Sequence, residues 1–563
     1  MTTEFLLLTL AWLLPLVLGL VQIAYRKQFI PFGALGAVPG VLAALFVPEG
    51  SRVDETPLLL GTILEFDLTA RIFLLFTTLL WLIASMFAAV YLRQDGRRGR
   101  FFAFFLMAMS GNFGLIVSGD MASFYTFFAL MSFASYALVV HTGQSEAFYA
   151  GRIYMVLVIV GEVLLFGGLV LIAAATGTTA FAQIATQPLD PLPLAMIFAS
   201  FGIKAGVIAL HTWLPLAHPA APIPASAVLS GAMIKAGVIG WMRFMGDAGA
   251  DWGQFIILLG VTTAFFGALM GVSQVNPKTV LAYSSISQMG FIMVGVGAWL
   301  MTGRADEAAL LAILLYAMHH ALAKGALFLG VAFAGSGRIV TAVLLLPALA
   351  LAGLPFTSGA VAKAALKAIT DALPDGLGSA LSLPLSLAAV GTTLLMARYL
   401  WLIYHNPTAQ KKHPPLMWGL WAALLGVVAL SMFILPEAAK GLEKSLAGDK
   451  LWSATWPILL GVGIAAVASR IGGQLKLPLI KPGDMLVVYN ALSRAGAALV
   501  MAAVGALDAM QTAALRALSR ADVAPLRAAL GRVELWVRSD YVVAGSLLLV
   551  ITLGILIMTL LAG

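Results

Sequence analysis

Residues 204–244 read KAGVIALHTWLPLAHPAAPIPASAVLSGAMIKAGVIGWMRF, an apolar stretch that contains two lysines and two histidines. Its length predicts membrane-spanning segments, because a hydrocarbon core about 30 Å thick needs roughly 20 apolar residues per helix. A lysine at the centre of a bilayer costs several kcal/mol, so Lys204 and Lys235 stand where charge is expensive. This stretch indicates both the class of fold and the type of residue on which function depends.

The composition of the whole chain agrees with a membrane protein. Of 563 residues, 10% are charged and 61% are hydrophobic, whereas an ordinary soluble domain has about 25% charged residues. This excludes a soluble enzyme, a disordered scaffold and a nucleic-acid-binding domain. The net charge of +8 comes from basic residues in short loops between apolar runs.

Two absences limit the chemistry. The chain has no cysteine, which excludes disulfides, thiolate metal sites and catalytic thiols, and its seven histidines are too scattered for a zinc motif. We predict no metal, nucleotide, flavin, iron–sulfur or quinone site and therefore no cofactor.

The apolar runs predict an all-α, polytopic membrane protein with about 16 transmembrane helices. The runs lie near 4–24, 30–48, 70–92, 101–118, 121–140, 151–175, 192–214, 225–245, 254–274, 279–300, 308–334, 341–370, 380–404, 416–436, 453–470 and 541–561. No basic residue precedes the first run, so we interpret it as a membrane helix rather than a cleaved signal.

The loops alternate in charge. Those after odd-numbered runs hold the basic residues Arg26, Lys27, Arg93, Arg97, Arg98, Arg100, Arg152, Lys278, Arg338, Lys411 and Lys412. Those after even-numbered runs hold the acidic residues Glu49, Asp54, Glu55, Asp120, Asp190, Asp247, Asp251, Asp306, Glu307, Asp371 and Asp375. The positive-inside rule then places the N-terminus outside, in the plasma (inner) membrane of a bacterium or archaeon.

One segment is not expected to span. Residues 476–540 carry arginines among alanine and leucine, a pattern typical of an amphipathic helix with a basic face. Such a helix lies along the membrane surface or against a neighbouring subunit; the alternative is a solvated helical linker.

Charges inside the runs are the candidate functional residues. Lys204, Lys235 and Lys324 lie mid-segment, Lys367 lies near a segment end, and Lys363 is intermediate. The alternative for each lysine is snorkelling to the headgroups. His211 follows Lys204 by two helical turns, and His320 and Lys324 are i,i+4 neighbours on one helix face. Lysine and histidine groups linked by water form a proton relay.

Two prolines indicate broken helices. Pro215 ends the seventh run and Pro355 interrupts the twelfth, each near a buried lysine. Interrupted helices at corresponding places indicate an inverted-repeat transporter. We expect helices 4–8 and 9–13 to form the two repeats. The predicted divisions are 1–100, 101–250, 251–405, 406–475, 476–540 and 541–563.

Four stretches of the sequence resemble a known protein family. They are the opening stretch, NPKTVLAYSSISQMGFIMVGVG (276–297), HHALAKGALFLG (319–330) and LAGLPFTSGAVAKAALKA (351–368). Together they resemble the antiporter-like subunits of respiratory complex I, Mrp-type cation/proton antiporters and the membrane arms of energy-converting hydrogenases. The resemblance covers roughly residues 60–405.

The resemblance implies a proton path between two inverted half-channels. It assigns Lys204 as the central lysine of the broken seventh helix and Lys235 as the lysine that passes protons inward. It matches His319, His320 and Lys324 to the central axis, and Lys363 to the terminal lysine. His211, His218 and Lys367 are added as further candidates.

The chain departs from this family at one position. Ala129 stands where the family usually has a fifth-helix glutamate that pairs with the seventh-helix lysine. We expect Glu162, which is mid-membrane, to pair with Lys204 instead. The alternative is a protonated Glu162 buried against a helix carbonyl.

These features predict a proton or Na⁺/H⁺ translocating subunit of a multisubunit complex, not catalytic alone. Its partners would be other membrane subunits and a soluble redox, hydrogenase or carbonic-anhydrase-like module. One alternative is the membrane subunit of a two-component inorganic-carbon uptake system energised by a cation gradient. Another is a structural subunit whose pumping has degenerated.

Overall fold

The structure is a computed structural model, and the fold is that of an all-α polytopic membrane protein. It describes residues 3–25, 33–55, 61–185, 187–245, 249–303, 306–405, 413–433, 448–471, 480–520, 530–532 and 534. Twelve helices within these ranges are long and apolar enough to cross a membrane. Two compact units are distinguished, residues 1–484 and 485–563.

The first unit begins with helices and one hairpin. They are α1 (Thr3–Ala24), α2 (Val38–Phe46), β1 (Ser51–Glu55), β2 (Thr62–Phe66), α3 (Leu68–Tyr91), α4 (Arg98–Val117), α5 (Met121–Val139), α6 (Ser145–Thr176), α7 (Phe181–Ile184), α8 (Pro191–Ala205), α9 (Trp213–Ala220), α10 (Ile223–Val228) and α11 (Lys235–Phe244).

The remaining elements follow in order. They are α12 (Gly249–Val272), α13 (Pro277–Thr302), α14 (Glu307–Gly330), α15 (Arg338–Ala352), α16 (Ser358–Asp371), α17 (Leu377–Tyr404), α18 (Pro415–Leu430), α19 (Gly448–Ile471) and, in the second unit, α20 (Leu486–Arg520).

The first fifteen predicted runs each contain helix. The second run holds only the short α2, and the seventh and twelfth runs are each divided into two helices. The sixteenth run and the basic residues Arg26, Lys27, Lys411 and Lys412 lie outside the described residues. The predicted surface segment contains α20, and several of its apolar side chains, such as Val487, are exposed. Its position on the membrane surface stays a prediction.

Polar side chains fix where several helices begin. Asp67, Asp120, Asn276, Asp306 and Thr357 each precede a helix and accept a hydrogen bond from a backbone N–H of its first turn. Such caps satisfy donors that the helix itself leaves free. The boundaries of α3, α5, α13, α14 and α16 therefore have a local chemical cause.

The hairpin β1–β2 is an addition to the predicted all-helical fold. Its strands are antiparallel, with Ser51 opposite Phe66. The Ile63 N–H donates to Asp120 Oδ2 at 2.8 Å, which ties the hairpin to the cap of α5. The sequence did not reveal these strands because Arg52, Asp54 and Glu55 give β1 the composition of a charged loop.

Glycines bring α12 and α13 into backbone contact. A Cβ on Gly253 would lie 2.7 Å from the Gly297 carbonyl oxygen, and one on Gly260 would lie 2.7 Å from that of Gly290. Both distances are too short for any side chain, so this close approach requires glycine. The backbones of the two helices are therefore in direct contact.

One loop contact links the ends of α3 and α5. His141 Nε2 lies 3.0 Å from Asp95 Oδ2, and Arg100 donates to the His141 carbonyl at 2.9 Å. Burial favours a higher pKa for Asp95, but hydrogen bonds from the Arg97 backbone and from His141 outweigh it, so the pKa is lowered. Burial lowers the pKa of His141.

Candidate functional site

The first helix break separates α8 from α9. Gly206 ends α8 in the left-handed conformation, with φ of 78°, and the Val207 N–H donates to the Gly202 carbonyl at 3.0 Å. This is the glycine C-cap in which two N–H groups fold back onto the last helical turn. Ala209 also has positive φ, at 68°. The chain therefore leaves the helical path between 206 and 212.

The second break, between α15 and α16, repeats this arrangement. Gly353 has φ of 94°, the Leu354 N–H donates to the Leu349 carbonyl at 3.0 Å, and Phe356 has φ of 64°. In both breaks a positive-φ glycine is followed three residues later by a positive-φ residue that is not glycine. The structure thus contains both predicted breaks, but the first lies at 206–212 and is made by Gly206, whereas Pro215 lies inside α9.

Lys204 lies just before the first break and is 3% exposed. Its Nζ donates to Ser132 Oγ at 3.2 Å and lies 5.6 Å from the centre of the Phe128 ring. These residues line a cavity of about 250 Å³ together with Glu162. The ammonium is therefore buried with a hydroxyl and a carboxylate in the same cavity.

Glu162 and Lys204 are not within ion-pair distance among the described residues, although both line one cavity and their charges interact. Their pairing therefore stays a prediction. Both carboxylate oxygens of Glu162 are buried without a hydrogen-bond partner in this part of the chain. Ala129 is not among the residues that line the cavity, whereas Ser132 on the same helix is. Ser132 thus occupies the space beside Lys204.

Lys235 lies beside a π-helical turn, Leu229–Met233. A π turn shifts the hydrogen-bond pattern by one residue and occurs frequently at functional sites. The Lys235 Nζ donates to the Ser230 carbonyl within that turn at 2.7 Å. The Ser230 hydroxyl in turn lies 2.7 Å from that of Ser285 on α13.

The middle of the bundle contains a buried cluster of nitrogen bases. Lys324 is 0% exposed and donates to the Leu281 carbonyl at 2.9 Å. The rings of His218 and His320 are also buried, and no nitrogen of either ring has a hydrogen-bond partner among the described residues. Buried polar atoms are normally satisfied by protein or by water. Two unsatisfied imidazoles next to lysines therefore mark a place for water or for a moving proton.

His319 connects this cluster to the second break. Its Nδ1 lies 2.9 Å from the hydroxyl of Ser358, the first residue of α16. Lys363, on the same helix, donates to the carbonyl of Ala352, the last residue of α15, at 2.7 Å. The negative end of a helix dipole favours a cation there.

The second break borders a cavity of about 770 Å³ that contains Lys363, Lys367 and Lys450. Lys367 differs from the other lysines, because its Nζ lies 3.4 Å from Asp371 Oδ1 and 2.8 Å from Ser382 Oγ. It has the i,i+4 partner typical of a helix surface.

Sequence reasoning missed Lys278, which its charge pattern placed in a loop. It is 8% exposed, and its Nζ donates to the Ala221 carbonyl and to Ser226 Oγ. The signal was Pro277, because proline favours the first helical position and so places Lys278 inside α13. Sequence reasoning also missed a buried chain from Tyr316 through Gln288 to Thr392, with two hydrogen bonds of 3.0 Å.

The described residues contain no group of three or more histidine, aspartate or glutamate side chains that could hold a metal ion. Lys204, Lys235, Lys324 and Lys363, with the histidines between them, are called the lysine–histidine row below. These four lysines donate hydrogen bonds to carbonyls and hydroxyls, and within the described part of the chain they form no ion pair. The site is therefore a line of buried nitrogen bases.

Residues 118–373 match the protein family described as NADH:quinone oxidoreductase/Mrp antiporter, transmembrane region. The matched region is a little under half of the chain. The matched residues include both helix breaks and every candidate lysine and histidine named above.

Relatives of known name agree with this family. The chain is 30% identical over 314 residues to hydrogenase-4 component B of Escherichia coli, covering 53% of this chain and 45% of that protein. It is 28% identical over 337 residues to an Na⁺/H⁺ antiporter subunit of Alkalihalophilus pseudofirmus, covering 54% and 66%. The match thus spans less than two thirds of either relative.

The fold is similar to a chain in the solved structure of the Mrp complex from Dietzia sp. DQ12-45-1b. The TM-score is 0.73 at 22% identity, with 92% of this chain and 63% of that chain covered. At this identity the likeness shows the fold. The chain is a multi-pass membrane protein related to subunits of multisubunit complexes.

Proposed function

We propose that this protein moves protons, or exchanges Na⁺ for H⁺, through the buried lysine–histidine row as one subunit of a larger complex. The observation that carries this proposal is the cluster around Lys324. There, lysines and imidazoles without carboxylate partners in the described structure lie buried in the middle of a helical bundle. Ionisable groups inside membrane segments are expensive, and by default they indicate an ion path.

The order of the groups defines the path. It runs from Lys204, beside the first break, through Lys235 to His218, His320 and Lys324 at the centre. From there His319 leads to Ser358 and Lys363 at the second break. A proton that arrives at one lysine repels the charge on the next, so occupancy alternates along the row.

Two relatives support this proposal. They bear the names of a hydrogenase component and of part of an Na⁺/H⁺ antiporter. We propose for this chain the plasma membrane of a bacterium or archaeon, the N-terminus outside, and other membrane subunits as partners. The predicted divisions, with repeats at 101–250 and 251–405, belong to the same proposal.

The test is transport by the intact complex. The complex is purified with its co-purifying chains, reconstituted in liposomes that contain a pH-sensitive dye, and driven by its own reaction or by a sodium gradient. We expect Lys324→Met to reduce proton movement by at least about 100-fold, because it removes the central base of the relay. Arg93→Met, at an exposed loop position, is the matched control and should transport at the wild-type rate.

Full proton movement by a folded Lys324→Met complex would reject the proposed path. The identity of the co-purifying chains separates the alternatives: a zinc protein resembling carbonic anhydrase supports inorganic-carbon uptake. A wild-type complex that moves neither ion supports a structural subunit.

A further inference from the structure

A short segment beyond the transmembrane helices of the first unit reaches back to the first helix break. At its start, the Ile480 carbonyl accepts a hydrogen bond of 3.0 Å from Gln274 Nε2, at the junction of α12 and α13. Gln274 is itself held by Arg398, whose Nε donates to its carbonyl at 2.9 Å. The segment 480–484 is therefore anchored at the end of the bundle where α12 and α13 join.

Asp484, at the end of this segment, places a carboxylate inside the bundle. Its side chain is 8% exposed, and its Oδ1 lies 3.2 Å from Nε2 of His211, in the first break. Its Oδ2 accepts a hydrogen bond of 3.2 Å from the Tyr283 hydroxyl on α13. The two oxygens thus contact two different elements of the proposed path.

His211 is a buried imidazole with one ring nitrogen unpaired among the described residues. Its side chain is fully buried, and its Nδ1 has no hydrogen-bond partner in the described structure. The neighbouring rings of Phe266 and Tyr283, with centres 4.8 and 6.2 Å from the imidazole, leave it between aromatic walls. One nitrogen faces Asp484, and the other is free to donate to water.

We propose that Asp484 is the proton-collecting carboxylate of the first half-channel and that it delivers protons to His211. This inference rests on the proposed function and adds a donor that the row of lysines lacks. Water protonates Asp484, the carboxylic acid gives its proton to Nε2 of His211, and the imidazolium releases the proton on Nδ1 toward Lys204. Each transfer leaves Asp484 as the carboxylate and His211 as the other neutral tautomer, and rotation of the imidazole ring restores the starting arrangement.

A purely structural role is the weaker account of this contact. The Gln274–Ile480 hydrogen bond already anchors the segment without any charge. Taking an aspartate out of water is unfavourable even when it is paired, so a tie alone would not require one. A carboxylate between the end of the bundle and an imidazole is instead the arrangement of a proton donor and acceptor.

The first experiment replaces Asp484 with a residue of the same shape. Asp484→Asn keeps an oxygen acceptor for Tyr283 but loses the ionisable group, so we expect the initial rate of proton movement in liposomes to fall by at least about tenfold. The matched control is Asp190→Asn, since Asp190 is exposed and its side chain makes no cap hydrogen bond. The control should keep the wild-type rate.

Chemical rescue separates proton delivery from structure. Azide, a small acid, should restore a large part of the rate in Asp484→Asn, and Asp484→Glu should retain more activity than the asparagine variant. Azide should not restore proton movement by Lys324→Met. This control shows that azide does not raise the rate simply by carrying protons through the lipid. If Asp484→Asn transports slowly and neither azide nor the glutamate substitution raises the rate, the inference is overturned. That result would mean that Asp484 only holds the segment in place.

The position itself is testable because the chain has no natural cysteine. In the double variant His211→Cys with Asp484→Cys, a short bifunctional thiol reagent should cross-link the two positions, because the side-chain tips are in contact but the Cβ atoms are too far apart for a direct disulfide. The same reagent should not cross-link His211→Cys with Asp190→Cys. Absence of the cross-link would also overturn the inference. If Lys324→Met moves protons normally, the proposed function fails; if Lys324→Met is inactive while Asp484→Asn is fully active, only the present inference fails.

Discussion

The two helix breaks begin alike and differ in what surrounds them. At the first break the lysine precedes the break, on α8, and its ammonium shares a cavity of about 250 Å³ with Glu162. At the second break Lys363 follows on α16 and reaches back to the carbonyl end of α15. The cavity there is about 770 Å³, and no carboxylate of the described residues lines it.

The difference shows how one backbone device serves two kinds of site. Both breaks expose the end of a helix at mid-bundle, where the free carbonyls attract a cation. At the first break, Glu162 lies in the smaller cavity with Lys204, so its carboxylate can influence whether the lysine is charged. The second adds further lysines and hydroxyls in a wide space, which suits exchange with water.

The largest expected effect tests whether both halves belong to one path. Lys204→Met and Lys363→Met should each reduce proton movement by at least about 100-fold, because a serial relay fails at any missing base. The measurement is dye quenching in liposomes that contain the intact complex. If only one of the two variants transports normally, the helix break that carries that lysine lies outside the proton path, and the two breaks do not share one function.

A smaller effect is expected from Glu162→Gln. The Glu162 carboxylate has no counterpart among the described residues that line the cavity at the second break. Loss of the carboxylate removes the one acid that the described structure places in the cavity of Lys204, so we expect proton movement to fall by about tenfold. Glu146→Gln, at the exposed start of the same helix, is the matched control. If Glu162→Gln leaves both transport and folding unchanged, Glu162 does not compensate for Ala129.

The smallest effect concerns the glycines that end α8 and α15. Gly206→Ala and Gly353→Ala should each lower stability by about 1–2 kcal/mol, because the left-handed conformation is unfavourable for residues with a Cβ. A Cβ at Gly353 would also lie 2.8 Å from Lys363 Cδ, whereas the nearest neighbour of one at Gly206 is Leu214, at 3.1 Å. Transport corrected for the amount of folded complex should therefore fall further in Gly353→Ala. Equal specific rates would show that Lys363 adapts.

The sequence predicted the features that depend on hydropathy and spacing. Helices, both breaks and the buried lysines all follow from the high free energy of placing polar groups in a bilayer. The burial of Lys278 was not predicted, because a charged residue at the start of a helix resembles one in a loop until the helix cap and Pro277 are recognised. Ser132 escaped because a serine in an apolar helix has no distinctive pattern.

Asp484 could not be predicted, for a different reason. It is 273 residues from His211 in the sequence, and no local pattern indicates which distant loop returns to a helix break. Its neighbours, Lys481, Pro482 and Gly483, read as an ordinary surface turn. Long-range contacts of this kind become visible only when the fold is in hand.

The π turn at Leu229–Met233 makes the length of its helix a functional variable. A π turn accommodates one residue more than an α-helical turn, and one residue corresponds to a rotation of about 100° around the helix axis. Deleting a single residue within the turn would restore a regular α-helical turn and leave Lys235 on the same face of the helix. A one-residue insertion between the turn and Lys235 would instead rotate Lys235 by about 100° relative to all that precedes it.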